Sequence, residues 1–374
     1  MLNFLKRHSD RYNVDGARIQ HVTSSRNLLQ LKKIRDRLSE RSKQLIIFAQ
    51  PMISVLDIGC IYPNTINVIQ GRKGVHKSRL TESLSTVLLN KLPGIEVAGF
   101  RQTSYVRYSM LYVDTERNQN DQFPAAIQRI KTASGYERAD DVPNFDFISL
   151  IDISRQERFA ALKEYLVAFR KNHGGHLVIV LDVLTDCSEN FNDPRESLKL
   201  VDLMNEMVNH QDVTFLCVIH ENPNDGGKAR GHIGTEVVNK ASQVMQIGFE
   251  KDSKGNDTDL IRVRFLHSRN TRPIQPLYLR YSDETRGLVL ADAAFVQEQQ
   301  LKRISKGAPT EIKEWLRENV PSATSKEDLI DQLKEAFDCG KRTLEDRLAD
   351  LIKSGFLTKS TADRKVYYTV ATDS

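Results

Sequence analysis

Lysine and serine close the run "GRKGVHKS" (Gly71–Ser78), with a glycine six residues before the lysine. That is the spacing of a phosphate-binding loop, G-x-x-x-x-G-K-[ST], except that His76 stands where the second glycine belongs. In such a loop the turn's backbone N–H groups cradle phosphate at a helix N-terminus. Lys77 would then reach the β/γ-phosphates, and the Ser78 hydroxyl would sit on Mg²⁺. The residues expected to touch a nucleotide are Gly71, Gly74, Val75, His76, Lys77, Ser78 and Arg79. Histidine is among the few non-glycine residues enriched at positive φ. A functional turn can store about 1–3 kcal/mol of strain. An imidazole there could also contact phosphate or base.

Three polar strand ends follow. "YSMLYVDTE" finishes in Asp114 and Glu116, and an acid beside a phosphate loop can orient and deprotonate water. A surface acid opening a helix is the plainer alternative. "HLVIVLD" closes on Asp182, an apolar strand with a carboxylate suited to hold the Mg²⁺ coordination sphere through water. "VTFLCVIHEN" carries His220 at the tip of a buried run, where parallel sheets bind ligands. Loop, acid, Mg²⁺ carboxylate and strand-tip histidine in this order point to a nucleotide site.

To converge, these residues need a parallel sheet. Apolar runs predict strands over Thr65–Gln70, Tyr105–Asp114, Phe145–Ile153, His176–Asp182, Thr214–His220, Leu260–His267, Leu277–Tyr281 and Leu288–Leu290. Helices are expected over Lys77–Leu92, Gln122–Ser134, Glu157–Asn172, Pro194–Asn209 and Thr235–Met245. The alternation is that of an α/β domain, a mostly parallel sheet flanked by helices over 47–298, with an antiparallel extension at its end.

Two further regions flank it. Residues 1–46 hold eleven Lys/Arg against four Asp/Glu, and Leu28, Leu31, Ile34 and Leu38 recur at helical spacing. This is a basic helical arm, suited to an anionic partner or to solvent, with a narrow apolar stripe that fits a neighbouring subunit. Residues 299–374 read as three helices followed by a hairpin, the winged-helix order, with Leu344, Leu348 and Leu351 on one helical face. DNA contact through Lys341, Arg342, Arg347, Lys359, Arg364 and Lys365 and protein contact through the same surface both remain open.

Of the 374 residues, 40% are hydrophobic and 28% charged, with a formal net charge of +5, which describes a folded chain rather than a disordered one. No apolar run reaches the roughly 18 residues of a membrane span. The four widely spaced cysteines fit neither a disulfide framework nor a zinc ribbon, so a reducing cytoplasm is expected.

Over roughly 47–285 the chain resembles the RecA-fold ATPases of the RepA/DnaB type, ring-forming replicative helicases and their plasmid-encoded relatives. The likeness rests on "GRKGVHKS", "LYVDTE", "VIVLD", "VIHEN" and "KARGHIGTEVVNKASQVMQI". It implies ATP and Mg²⁺ as cofactors, Lys77 and Ser78 as nucleotide ligands, Glu116 as catalytic base, Asp182 as the Mg²⁺-organising carboxylate and His220 as sensor. It also implies a cation from the next subunit of a homo-oligomeric, hexameric ring: Lys240, or Arg269 of "HSRNTRP" with Arg272 in reserve. Both matches depart from the family, since lysine replaces one arginine and the late segment has an extra residue. Lys228 and Arg230, in "ENPNDGGKARG", would face single-stranded DNA in the lumen, or belong to an ordinary surface turn. The expected function is an ATP-dependent DNA motor in plasmid or mobile-element replication or transfer. The alternative is a nucleotide-switched DNA-binding accessory with little hydrolysis.

Overall fold

The computed structural model describes residues 14–92, 94–103, 106–222, 227–253, 255–301, 309–320, 322–337, 339–362 and 365–371. Residues 1–13 of the basic arm, residues 223–226 of the glycine-rich loop and Arg364 lie outside the described residues. The chain divides into two compact units, Met1–Ala49 and Gln50–Ser374. The first contains the helix α1 (Val14–Ser42), which covers the expected leucine stripe. One helix alone cannot bury such a stripe.

The second unit begins with β1 (Ile53–Val55), β2 (Ile58–Ile61), β3 (Ile66–Gly71), α2 (Lys77–Leu89), β4 (Glu96–Val97), β5 (Phe100–Gln102), β6 (Ser109–Asp114) and α3 (Gln122–Ala133). It continues through β7 (Phe145–Ser149), α4 (Arg155–Asn172), β8 (Leu177–Asp182), α5 (Pro194–His210), β9 (Val213–His220), α6 (Gly231–Lys240) and β10 (Gln243–Lys251). Next come β11 (Asp257–Ser268), β12 (Leu277–Ser282), β13 (Gly287–Leu290) and α7 (Ala293–Leu301). Last are α8 (Pro309–Asn319), β14 (Thr324–Ser325), α9 (Lys326–Phe337), α10 (Lys341–Lys353), β15 (Leu357–Ala362) and β16 (Lys365–Val370).

Nine strands form the main sheet in the order β13-β12-β11-β10-β3-β9-β8-β6-β7. Pairing is parallel from β10 through β7 and antiparallel from β10 to β13. The central parallel strands β3, β9, β8 and β6 are buried on both faces, so their side chains split between two cores. In β8, Val178 and Val180 join the core under α2 and α3, while Leu177, Ile179 and Leu181 join the one under α4, α5 and α6. Register brings the chemistry together: Gly71 lies opposite His220, and Asp114 opposite Asp182, all at the C-terminal edge.

α2 is buried over eleven of its thirteen residues although several are polar. Thr81, Ser83, Ser85 and Thr86 satisfy their hydroxyls on carbonyls four residues back, at 2.8–3.0 Å. A helix whose polar groups bond to its own backbone can be packed on every side.

The structure corrects the expected helix over Thr235–Met245. α6 ends at Lys240, and after Ala241 and Ser242 the chain enters β10, a central strand beside β3. Val237, Ala241 and Val244 are spaced as on one helix face, so periodicity could not separate a helix from the buried strand after it. A small antiparallel sheet, β2-β1-β5-β4, was also unexpected, its strands being two to four residues long. The strand expected from Tyr105 begins at Ser109, and the one expected to reach Ile153 ends at Ser149.

At the C-terminal end of the unit, α8, α9 and α10 pack around Ile312, Leu329, Leu333, Leu344, Leu348 and Leu351. β14, β16 and β15 form a three-stranded sheet that adds Leu357 and Tyr368 to that core.

Candidate functional site

The loop between β3 and α2 is shaped by its residues. Gly71 leaves no room for a side chain: a Cβ would lie 2.4 Å from the Ile247 carbonyl on β10. Gly74 has φ +84°, and His76, the residue before α2, has φ 65° and ψ 27°. His76 thus occupies the left-handed conformation that the missing glycine would have taken. Its ring turns to aromatic neighbours, stacked on Tyr281 with centroids 5.2 Å apart and edge-on to Phe249 at 5.6 Å. Burial, then the Arg79 charge, lowers the imidazole pKa.

Lys77, the first residue of α2, is buried, and its ammonium donates to the Arg72 carbonyl at 2.6 Å. Burial lowers its pKa, while Asp182 acts most strongly in the opposite direction. The Ser78 hydroxyl donates to Asp182 Oδ1 at 3.1 Å. The other oxygen, Oδ2, accepts from the Tyr112 hydroxyl at 2.8 Å and from Arg117 at 3.1 Å. Burial raises the Asp182 pKa, and Arg117 is the largest opposing influence.

Arg117 had no sequence signal beyond following Glu116. Its guanidinium also binds Asp114 at 2.6 Å and Glu82 of α2 at 2.8 Å, and lies 5.3 Å from the ring centres of Tyr112 and Phe123. Arg79 and Arg129 share Glu82. The backbone N–H groups of Glu116 and Arg117 both donate to Asp114 Oδ1, at 3.1 and 2.8 Å, fixing the turn after β6. Glu116 projects from that turn to the His220 ring, 3.3 Å away. The hydrogen bond with His220 is the main reason its carboxyl pKa is lowered.

Lys77, Ser78, Glu116, Asp182 and His220 line one cavity of about 900 Å³. Its wall also includes Lys73, Arg155 and Arg230. The donor set fits a phosphate chain with a hard divalent cation: backbone amides at a helix start, a lysine, and a hydroxyl 3.1 Å from a carboxylate. Such a cation keeps most of its waters, so Ser78 and Asp182 suffice as its protein partners.

Other expected residues stand elsewhere. Lys240 is in the last turn of α6 and exposed. Arg269 bonds to the Asn239 carbonyl and, with Lys228, lines a second cavity of about 590 Å³. Arg230, expected toward DNA, lines the first cavity. Lys341, Arg342, Lys359 and Lys365 are exposed on α10 and the β15–β16 hairpin, and Arg347 is half-buried. Cys60, Cys187 and Cys217 are buried, as the apolar runs around them suggest. Among the described residues no helix is long and apolar enough to cross a membrane.

A phosphate-type loop on a central strand, acidic strand ends beside it and a parallel sheet continued by antiparallel strands define a RecA-like α/β fold. No family model matches the chain, and no curated protein matches it significantly. Among solved structures it is similar to a KaiC-like protein from the hyperthermophilic archaeon Pyrococcus horikoshii, 14% identical, with TM-score 0.47, covering 66% of this chain and 100% of that one. It is also similar to the flagellar accessory protein FlaH of Methanocaldococcus jannaschii, 15% identical, with TM-score 0.43, covering 63% of this chain and 92% of that one. The RadB recombinase is 12% identical, with TM-score 0.41, over 62% of this chain and 92% of its own. The fold class rests on the strand order and the loop, independently of these likenesses.

Proposed function

We propose that the protein binds ATP with Mg²⁺ in the cavity above β3, β6, β8 and β9, and hydrolyses it to act on DNA. The observation that carries this reading is the convergence of Lys77, the Ser78–Asp182 pair and the Glu116–His220 pair on one cavity. Lys77 neutralises the β/γ-phosphate charge. Ser78 and Asp182 orient the hydration shell of the cation, which supplies further neutralisation of phosphoryl charge when bound. Glu116, kept ionised by His220, accepts the proton of the attacking water. His220 links that base to the tip of β9.

The DNA motor is the finer part of the proposal and rests on the resemblance to the RepA/DnaB group. Subunits would assemble as a ring, with Lys240 or Arg269 completing a neighbour's site. The C-terminal helices and hairpin would act as a winged helix offering Lys341, Arg342, Lys359 and Lys365 to DNA.

One observation favours the second reading, a nucleotide switch with little turnover. Arg117 is paired with Asp182 and offsets the negative charge that would attract the cation. The deciding measurement is the ATPase rate with and without single-stranded DNA, beside a mass measurement with nucleotide present. A DNA-stimulated rate supports the motor, and tight binding with negligible turnover supports the switch. Absence of saturable ATP binding ends both.

A further inference from the structure

The loop position of Arg230 suggests a DNA contact, yet its surroundings tie it to Glu116 and His220. Its backbone N–H donates to the His220 carbonyl at 2.8 Å, so the chain returns to the tip of β9 before α6 begins. An isolated bridge between Glu221 and Ala229 closes the same return one residue earlier. The next residue, Gly231, has φ +76°, and a Cβ on it would lie 2.5 Å from the Phe191 ring. Only glycine fits that turn, so the Cα of Arg230 is held beside His220. The guanidinium carbon lies 5.2 Å from the Phe191 ring centre, an apolar support that leaves the N–H groups able to donate.

Three nearby arginines contrast with it. Arg79 is held by Glu82, Arg155 by Asp186, and Arg117 by three carboxylates. Among the described residues Arg230 has no carboxylate partner. It lines the cavity together with Lys77, Glu116 and His220. The Glu116 carboxylate marks where water attacks, so this end of the cavity belongs to the terminal phosphate. A forked, permanently charged donor on the wall of the same cavity suits phosphate oxygens.

We propose that Arg230 is a phosphate contact supplied by the same chain, reading the terminal phosphate of a nucleoside triphosphate rather than DNA. This deepens, and rests on, the reading of the cavity as an ATP site. Arg230 distinguishes triphosphate from diphosphate before any neighbouring subunit contributes a cation. A cation acting within its own subunit is an established solution to phosphoryl-charge stabilisation.

The test compares Arg230→Ala and Arg230→Lys with the unmodified protein by equilibrium binding of a non-hydrolysable ATP analogue with Mg²⁺, of ADP with Mg²⁺, and of single-stranded DNA without nucleotide. Arg230→Ala should weaken the triphosphate analogue at least about tenfold and leave ADP and DNA affinities within about twofold. Arg230→Lys should recover part of the loss. Unchanged analogue affinity in Arg230→Ala overturns the proposal, as does loss of DNA affinity with analogue binding intact. If the unmodified protein binds neither nucleotide, the ATP reading itself fails and this proposal falls with it. If it binds ADP and analogue and only the Arg230 effect is missing, the ATP reading stands.

Discussion

Arg117 donates to Asp182 on the carboxylate oxygen that Ser78 does not use, at 3.1 Å. The two sides of Asp182 therefore do different work, one anchored in the protein and one presented to the cavity with the Ser78 hydroxyl.

Replacing Arg117 by methionine removes the counter-charge of Asp114, Asp182 and one side of Glu82 at once. Breaking a buried ion pair from one side costs about 3–5 kcal/mol. Arg117→Met should lower the unfolding free energy obtained from urea titration by an amount of that order, seen as a lower midpoint, and a double variant with Asp114→Asn should recover part of it. An unchanged midpoint would show that the cluster is not structural.

Ser78→Ala tests the cavity side. Its effect should appear as a loss of Mg²⁺-dependent nucleotide affinity of about tenfold, with affinity measured in excess chelator unchanged. Equal losses in both conditions would mean that the hydroxyl shapes the loop instead of serving the cation.

Glu116→Gln should retain binding and lose hydrolysis by about 10²–10⁴-fold, the usual worth of a general base. The pH dependence carries a sign. His220 lowers the Glu116 pKa, so the base stays ionised to lower pH. In His220→Ala that pKa rises, and the acidic limb of the kcat/KM profile should move to higher pH. A limb that stays in place, or moves down, contradicts the pairing.

His76 offers a balance of two small effects. A non-glycine residue at φ 65° costs about 1–2 kcal/mol, and its ring contacts with Tyr281 and Phe249 return about 0.5–1.5 kcal/mol. His76→Gly should therefore bind the triphosphate analogue within about threefold of the unmodified protein. His76→Val, β-branched and without the ring, should weaken binding and lower the urea midpoint. Reversal of that order would show that the imidazole itself contacts the nucleotide.

The residues at strand tips were readable because each ended a long apolar run: Asp114, Asp182 and His220. So was the departure at His76, whose positive φ follows from the loop's shape rather than its composition. What escaped was set by long-range packing. β10 carries a spacing continuous with α6, and only its place beside β3 makes it a strand. Arg117 looked like any cation after an acid, because its three carboxylate partners come from three separate elements. Arg230 shows the same limit: a loop's charge is visible in sequence, but the direction of its return, which brings Arg230 to the wall of the Lys77 cavity, is not.

α2, packed on nearly every side, has an evolutionary corollary. A helix with one solvent face drifts freely along that face and leaves only its stripe constrained. Here Thr81, Ser83, Ser85 and Thr86 are enclosed and bonded to their own backbone, so a larger residue overfills the space. A random mutagenesis library selected only for folded protein should leave this helix nearly invariant while the exposed positions of α4 diversify. The segment that follows the phosphate loop would then look functionally conserved for reasons of space alone.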